Sequence, residues 1–253
     1  MNNACIIGYG VVGKATALAF GITKHFDING DATITLNDAA NCRYVFICLP
    51  TPTVNGDCDT RSIRETIRQI EGIRANPLYI IRSTVIPGTA NAIMEELNMD
   101  RVISNPEFLT EATWASDAKR PDMVIIGGSN PNYIQEVRGI YESRFKYLEP
   151  KITDNVTAET LKYVFNNFFS LKVIFAEEMA DVCKNNGANY SFIRDRLLAH
   201  PWGSGHHFFT DYSGYRGVGG KCLKKDLESF ANYSKSSLLQ KVKEINDSYG
   251  NNQ

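Results

Sequence analysis

Residues 4–13 read ACIIGYGVVG, and this stretch decides the fold. Its first four residues are apolar throughout, as in a strand buried on both faces of a parallel sheet. From Val11 to Phe20 the chain becomes rich in Ala and Leu, a helix-forming composition. Between strand and helix, Gly8, Gly10 and Gly13 form Gly-x-Gly-x-x-Gly. Gly8 permits the tight turn, Gly10 lets the backbone approach a pyrophosphate, and Gly13 lets helix and sheet come close. The phosphates then meet unpaired amides at the helix N-terminus. Three glycines alone are weak evidence, so the next acid matters. Asp27 closes the short segment 24–27, nineteen residues after Gly8. A carboxylate there accepts the ribose hydroxyls of an adenosine and repels the extra phosphate of NADP, so NAD is the cofactor expected. Asn29 and Gly30 predict an abbreviated second strand, with little room for a long second crossover.

Working outward, an apolar strand at 44–49 stops at Pro50-Thr51-Pro52-Thr53. Asp59 is placed to cap a helix over 60–73, and residues 79–81 form another strand. The run RSTVIPGT at 82–89 leads into a helix at 89–97, a short strand around Val102, and Asn105-Pro106-Glu107-Phe108. A strand at 123–126 precedes Gly127 and Gly128. Strands alternating with helices predict an α/β, Rossmann-like domain with a mostly parallel sheet over residues 1–150. Ligands of such sheets bind at the carboxyl ends of the strands. Thr51, Ser83, Thr84 and Glu107 fall at those ends, on the side of Gly8. Taken singly, each is ordinary turn chemistry.

Residues 151–253 read as a helical domain. No Pro or Gly interrupts 155–186, and Gly187 is a natural stop, giving one central helix of about 48 Å. Leu161, Val164, Phe168, Leu171, Phe175, Met179 and Val182 form an apolar stripe at helical spacing. A helix this long needs support from the first domain or from a second subunit, which points to a homodimer. Lys162 and Asn166 share a face, and Glu159, three residues before Lys162, can reach its ammonium group, the plainer reading being a solvated surface pair. The segment 212–226 reads YSGYRGVGGKCLKKD. Its glycines free the backbone for a close ligand. Cys222 stands among Lys221, Lys224 and Lys225, surroundings that favour thiolate over thiol. Asp226 lies one helical turn further on.

Composition removes several classes. The 27 Lys and Arg balance 28 Asp and Glu, a formal net charge of -1, so the footprint of a general nucleic-acid binder is missing. No run of about 18 apolar residues predicts a membrane span. Residues 1–13 do not read as a signal peptide, because their apolar run flows into the glycine pattern. Six cysteines without CxxC pairs, and four histidines without ligand spacing, predict neither a metal site nor a disulfide scaffold. A reducing, cytoplasmic setting follows.

Taken in order, the motifs resemble the UDP-glucose/GDP-mannose 6-dehydrogenase family, NAD-dependent enzymes that oxidise the C6 alcohol of a nucleotide sugar to a carboxylate. The matching stretches are GYGVVG at 8–13, PTPT at 50–53, STVIPGT at 83–89, NPEFLTEA at 105–112, AETLKYVFNN at 158–167 and GVGGKCLKKD at 217–226. The resemblance implies a cofactor cradle of Gly8, Tyr9, Gly10, Val11, Val12, Gly13, Asp27, Pro50, Thr51, Ser83, Thr84 and Glu111. It implies substrate contacts at Glu107, Phe108, Leu109, Lys162, Asn166, Gly219 and Lys225. Cys222 becomes the nucleophile that captures an aldehyde as a thiohemiacetal. Lys162 and Asp226 flank the reacting oxygen and a water, and Asn166 lies close to the sugar. Glu107 serves as general base in thioester hydrolysis, with Thr84 helping to hold the water. The substrate implied is a nucleotide sugar, UDP-glucose first.

The match also has departures. The family usually continues into a second Rossmann-like domain, which is expected here to be truncated, supplied by another chain, or dispensed with. No arginine stands between Arg196 and Arg216, where the family places one before the glycine loop, leaving His206 and His207 as the basic residues nearest that position. Lys221, Leu223 and Ala112 replace residues common in the family, which bears on substrate identity more than on chemistry. Two other readings stay open: a non-catalytic, dimeric NAD-binding module that partners another dehydrogenase, and a two-electron dehydrogenase of a smaller alcohol.

Overall fold

The first strand, β1 (Ala4–Ile7), is buried at every position. Through the glycine turn it enters α1 (Val11–Phe20), which stops at Gly21 in the left-handed region, φ 64°. The computed structural model describes the whole chain except residues 75, 202, 204–206, 211–213, 221 and 251–253. β2 (His25–Phe26) has two residues and α2 (Leu36–Ala40) five, the latter opened by a Thr35–Asp38 capping box. The second crossover is therefore as short as Asn29 and Gly30 predict. After β3 (Tyr44–Ile47), a hairpin of β4 (Thr53–Val54) and β5 (Asp57–Cys58) turns at Asn55 and Gly56, both at positive φ. Next comes α3 (Arg61–Ile73), whose first amide donates to the Asp59 carboxylate at 3.0 Å. β6 (Leu78–Ile81), α4 (Thr89–Glu96) and β7 (Val102–Ser104) follow. A 3-10 turn at Glu111–Thr113 precedes α5 (Trp114–Lys119), β8 (Ile125–Gly127), α6 (Pro131–Arg144) and β9 (Lys151–Thr153).

The seven-stranded sheet runs β2-β1-β3-β6-β7-β8-β9 and is parallel except between β7 and β8. Alternation along each strand sends neighbours to opposite faces. Ile6, Phe46 and Ile80 meet Phe20 and Tyr141 on one side, while Ile7, Val45, Ile47 and Tyr79 meet Ile63, Ile67 and Ile70 of α3 on the other. The chain lays β2 to one side of β1 and β3 to the other. That reversal opens a crevice at the carboxyl ends of β1 and β3, the place where such sheets hold ligands.

The second half is helical: α7 (Asn155–Asn185), α8 (Tyr190–Ala199), α9 (Leu223–Ser234) and α10 (Ser237–Ser248). Two compact units result, one of Met1–Pro52 with Cys58–Lys162, the other of Thr53–Asp57 with the chain from Tyr163 onward. α7 ends as its sequence predicts, with Gly187 at φ 71° and the Ala188 amide donating back to Cys183 O at 2.8 Å. Against the described residues its apolar stripe is covered only in part: Leu161, Leu171 and Met179 are half-buried, and Leu171 packs against Ile174, Val218, Leu227 and Val242. Val164, Phe168, Phe175 and Val182 are 51, 55, 49 and 47% exposed. The buried residues of α7 include Asn155, Glu159, Lys162, Asn166, Ser170 and Glu177, a polar series that tertiary partners satisfy. Among the described residues no helix is long and apolar enough to cross a membrane.

Candidate active site

The glycine turn has the geometry its residues require. Gly8 has φ 91°, and a Cβ there would lie 2.6 Å from Cys48 O. A Cβ on Gly13 would lie 2.0 Å from Gly8 O, so only glycine allows this approach of helix to turn. Gly10, the N-cap of α1, has nothing within 4 Å of a would-be Cβ and faces open ground. The Tyr9 amide donates to Asp27 Oδ2 at 2.7 Å, and the Asn29 amide to Oδ1 at 2.9 Å. Those two amides hold the Asp27 carboxyl below the usual aspartate range, with a smaller contribution from nearby His25. Tyr9 and Val12 are half-buried and Val11 is exposed. The Tyr9 ring stacks on His25 at 3.6 Å, a contact no local sequence pattern announces. A side-chain-free turn, a helix N-terminus and an anionic carboxylate at the end of β2 fit a dinucleotide.

At the ends of β3 and β6 the hydroxyls serve the backbone. Ser83 Oγ donates to Leu49 O and Thr51 Oγ1 to Thr84 O, each at 2.6 Å, while Pro50 is exposed. Beyond β7, Glu107 accepts the Leu109 amide on Oε2 at 2.6 Å, and its Oε1 lies 3.7 Å from Lys162 Nζ. That separation is an ion pair without a hydrogen bond. The Lys162 ammonium also lies 5.4 Å over the Phe108 ring. Thr84, Ser83, Ser104, Glu159 and Lys162 border a cavity of about 10 Å³, close to the volume one water requires.

The expectation that Glu159 reaches Lys162 is corrected. Glu159 turns instead to the start of α4, accepting the Gly88 and Ala90 amides at 2.6 and 3.0 Å and the Ser104 hydroxyl at 2.8 Å. Two amides at a helix N-terminus and a hydroxyl from β7 satisfy a buried carboxylate better than one flexible ammonium. Glu111 lies exposed in the 3-10 turn.

In the second unit, Cys222 is the N-cap residue of α9 and is exposed; the other five cysteines are buried or half-buried. The Asp226 amide donates to Cys222 O at 3.0 Å, which fixes the one-turn spacing. The Asp226 side chain is 1% exposed and accepts from Asn166 Nδ2 at 2.6 Å and Lys225 Nζ at 2.5 Å. Lys225 pairs with Asp226 while its side chain keeps 22% exposure, and its carbonyl accepts the Thr53 hydroxyl at 3.0 Å. The Tyr215 ring lies within 2.3 Å of where a Gly219 Cβ would stand. Lys221 and His206 lie outside the described residues, and His207 stacks on Phe169 at 4.6 Å. Glu177 and Asn246, which hold the loop before Cys222, carry no motif by which sequence reasoning finds them.

Comparison with known proteins agrees with this geometry. Residues 23–145 match the family model "UDP-glucose/GDP-mannose dehydrogenase family, NAD binding domain", and residues 156–248 match that family's central domain. NAD is accordingly the cofactor of the first unit, and the glycine turn, which precedes residue 23, supports this independently. The UDP-glucose 6-dehydrogenase of Rickettsia bellii (strain RML369-C) is 34% identical over 215 residues, 80% of this chain and 48% of its own length. That of Rickettsia typhi (strain ATCC VR-144 / Wilmington) is 33% identical over 206 residues, 78% of this chain and 46% of its own. A solved UDP-glucose dehydrogenase from the hyperthermophilic archaeon Pyrobaculum islandicum has a TM-score of 0.83 and 25% identity, covering 96% of this chain and 67% of that one. The chain spans about half the length of the curated relatives it matches. With both models matched in order, the chain belongs to the UDP-glucose/GDP-mannose dehydrogenase family.

Proposed function

We propose that the chain carries out the NAD-dependent, four-electron oxidation of a nucleotide sugar, UDP-glucose first, at C6. In this reading residues 1–150 bind the cofactor and residues 151–253 carry the cysteine loop and the dimer surface. NAD⁺, held by the turn from Gly8 to Gly13 and by Asp27, would supply the hydride acceptor for each of two oxidations. Lys162 stabilises the developing negative charge on the C6 oxygen while the alcohol becomes an aldehyde. Cys222 Sγ then bonds to the aldehyde carbon, giving a thiohemiacetal from which the second hydride leaves and a thioester remains. Glu107 takes a proton from water as its oxygen bonds to the thioester carbon and the C–S bond breaks. Asp226 and Asn166 order the polar ground beside the thiol, and Thr84 holds the water. Phe108, Leu109, Gly219 and Lys225 contact the substrate. The balance is alcohol plus two NAD⁺ plus water giving carboxylate, two NADH and three protons.

The observation that carries this reading is the exposed thiol of Cys222 at the N-terminus of α9, one turn from the buried carboxylate of Asp226. An NADH-linked assay across nucleotide sugars, with product analysis, tests it. Two NADH per acid are expected, and Cys222→Ser is expected to abolish acid formation. One NADH per substrate with Cys222→Ser unimpaired would establish the two-electron reading instead, and NADH binding without turnover would leave the non-catalytic module.

A further inference from the structure

The loop that carries Cys222 is built from residues that do not hold themselves in place. Gly214, Gly217 and Gly220 take positive φ, 73°, 81° and 72°, and glycine loses more conformational freedom on ordering than any other residue. Yet three consecutive residues ahead of the thiol are fixed to helices distant in sequence. Arg216 donates to Glu177 Oε2 at 3.0 Å and Asp181 Oδ2 at 2.7 Å, and its guanidinium lies 4.3 Å over the Tyr249 ring. The Gly217 amide donates to Glu177 Oε1 at 3.2 Å, and the Val218 amide to Asn246 Oδ1 at 2.6 Å. Glu177 and Asn246 are 3 and 2% exposed. The Val218 side chain is buried with Ile174, Leu227 and Val242.

Burying a carboxylate and an amide is costly unless they are hydrogen-bonded, and apolar contact alone would cover a loop at lower cost. What two acceptors aimed at successive amides add is orientation: they set the peptide planes at Gly217 and Val218. Four residues later the chain enters α9 at Cys222, whose carbonyl is fixed by the Asp226 amide. The thiol is therefore held between two anchored points.

We infer that Glu177 and Asn246 are positioning residues for Cys222, holding the glycine loop so that the thiol stays at the first turn of α9. A helix N-terminus favours thiolate over thiol. The inference rests on the reading of Cys222 as the nucleophile. Neither residue is assigned a contact with substrate or NAD, so both act through the loop.

The test uses the full chain as wild type, Asn246→Ala, Asn246→Asp, which keeps an acceptor, and Glu177→Gln. Amide hydrogen exchange is followed over 214–222 and over the sheet, and Cys222 alkylation by iodoacetamide at neutral pH is quantified on its own peptide. In Asn246→Ala, exchange near Val218 is expected to speed up at least tenfold while sheet protection stays, a change of roughly 1.4 kcal/mol or more in local opening. Alkylation of Cys222 is expected to slow by about tenfold, with Asn246→Asp restoring it to within about twofold. Alkylation at the wild-type rate in a variant that has lost Val218 protection would overturn the inference. Should Asn246→Ala lose sheet protection as well, Glu177→Gln is judged by the same two rates. A wild-type thiol no more reactive than free cysteine overturns both the inference and the nucleophile reading. An activated wild-type thiol that the variants leave unchanged overturns the inference alone.

Discussion

At Gly13 an added methyl group would sit 2.0 Å from the Gly8 carbonyl oxygen, whereas at Gly10 it would meet nothing within 4 Å. The two glycines therefore serve different ends, and alanine separates them. Gly13→Ala should lower stability by about 1–3 kcal/mol, because backbone must move to make room, and urea unfolding would report it. Gly10→Ala should leave the unfolding midpoint nearly unchanged and weaken NADH about tenfold or more in a fluorescence titration, since the new methyl occupies the pyrophosphate's approach. Equal loss of stability in both variants would refute the distinction. Asp27 adds a pH dependence. Its folded pKa lies below the ordinary aspartate value of 3.8, chiefly through the Tyr9 and Asn29 amides. Its contribution to stability is thus present above pH 3.8 and is lost as pH falls through the lower folded value. Asp27→Asn should flatten that acid-side loss in urea midpoints measured downward from pH 5. The glycines are legible in the sequence because each fills a backbone role that few residue types can fill, and Asp27 because an acid at that distance from Gly8 suits a ribose. His25 was not, since its place beneath Tyr9 is set by the pairing of β2 with β1.

Among the elements, α7 shows how far periodicity reaches. The absence of Pro and Gly, and the stop at Gly187, gave its length to within a residue at the C-terminus. Which face the chain itself buries was not legible, because the partners of the polar series come from remote segments. Ser104 of β7 donates its amide to Asn155 and its hydroxyl to Glu159, and Asp226 of α9 receives Asn166. The same limit applies to the candidate site. The family resemblance names Lys162, Asn166, Cys222 and Asp226, but neither the Glu159 cap on α4 nor the Glu177 and Asn246 anchors has a local signature. Glu159 offers a measurable contest between burial and hydrogen bonding. Desolvation, the largest influence, raises its pKa above the ordinary 4.5 against the pull of the Ala90, Ser104 and Gly88 donors. A raised folded pKa means that the native state holds the proton more tightly than the unfolded chain does. Stability from this group is therefore full below pH 4.5 and falls as pH rises through the folded value. Between pH 4.5 and 7, the stability difference between wild type and Glu159→Gln should move in favour of the glutamine variant. A shift toward wild type over that range would mean that the amide cage outweighs burial.

At the scale of the molecule, the uncovered face of α7 sets the next question. Val164, Phe168, Phe175 and Val182 follow one another along the helix at roughly half exposure, and Phe192 and Ile193 of α8 are exposed as well. Soluble monomers rarely leave a contiguous apolar patch of more than a few hundred Å² in water. A second copy of the chain offers the same stripe, and a two-fold pairing would place like against like in a closed interface. Lys172 sits within this ground, its ammonium 5.1 Å from the Phe168 and Phe169 rings, and burial already pushes its pKa down. Aromatic faces of that kind hold a cation even as water is excluded. Wild-type chain should therefore sediment as a dimer at micromolar concentration, with a melting temperature that climbs as the protein is concentrated. Phe168→Glu with Phe175→Glu should sediment as a monomer whose melting temperature no longer depends on concentration, because two like charges per chain would be buried without partners. A wild-type chain that is monomeric throughout, with a concentration-independent melting temperature, would mean that the stripe is not a homodimer surface.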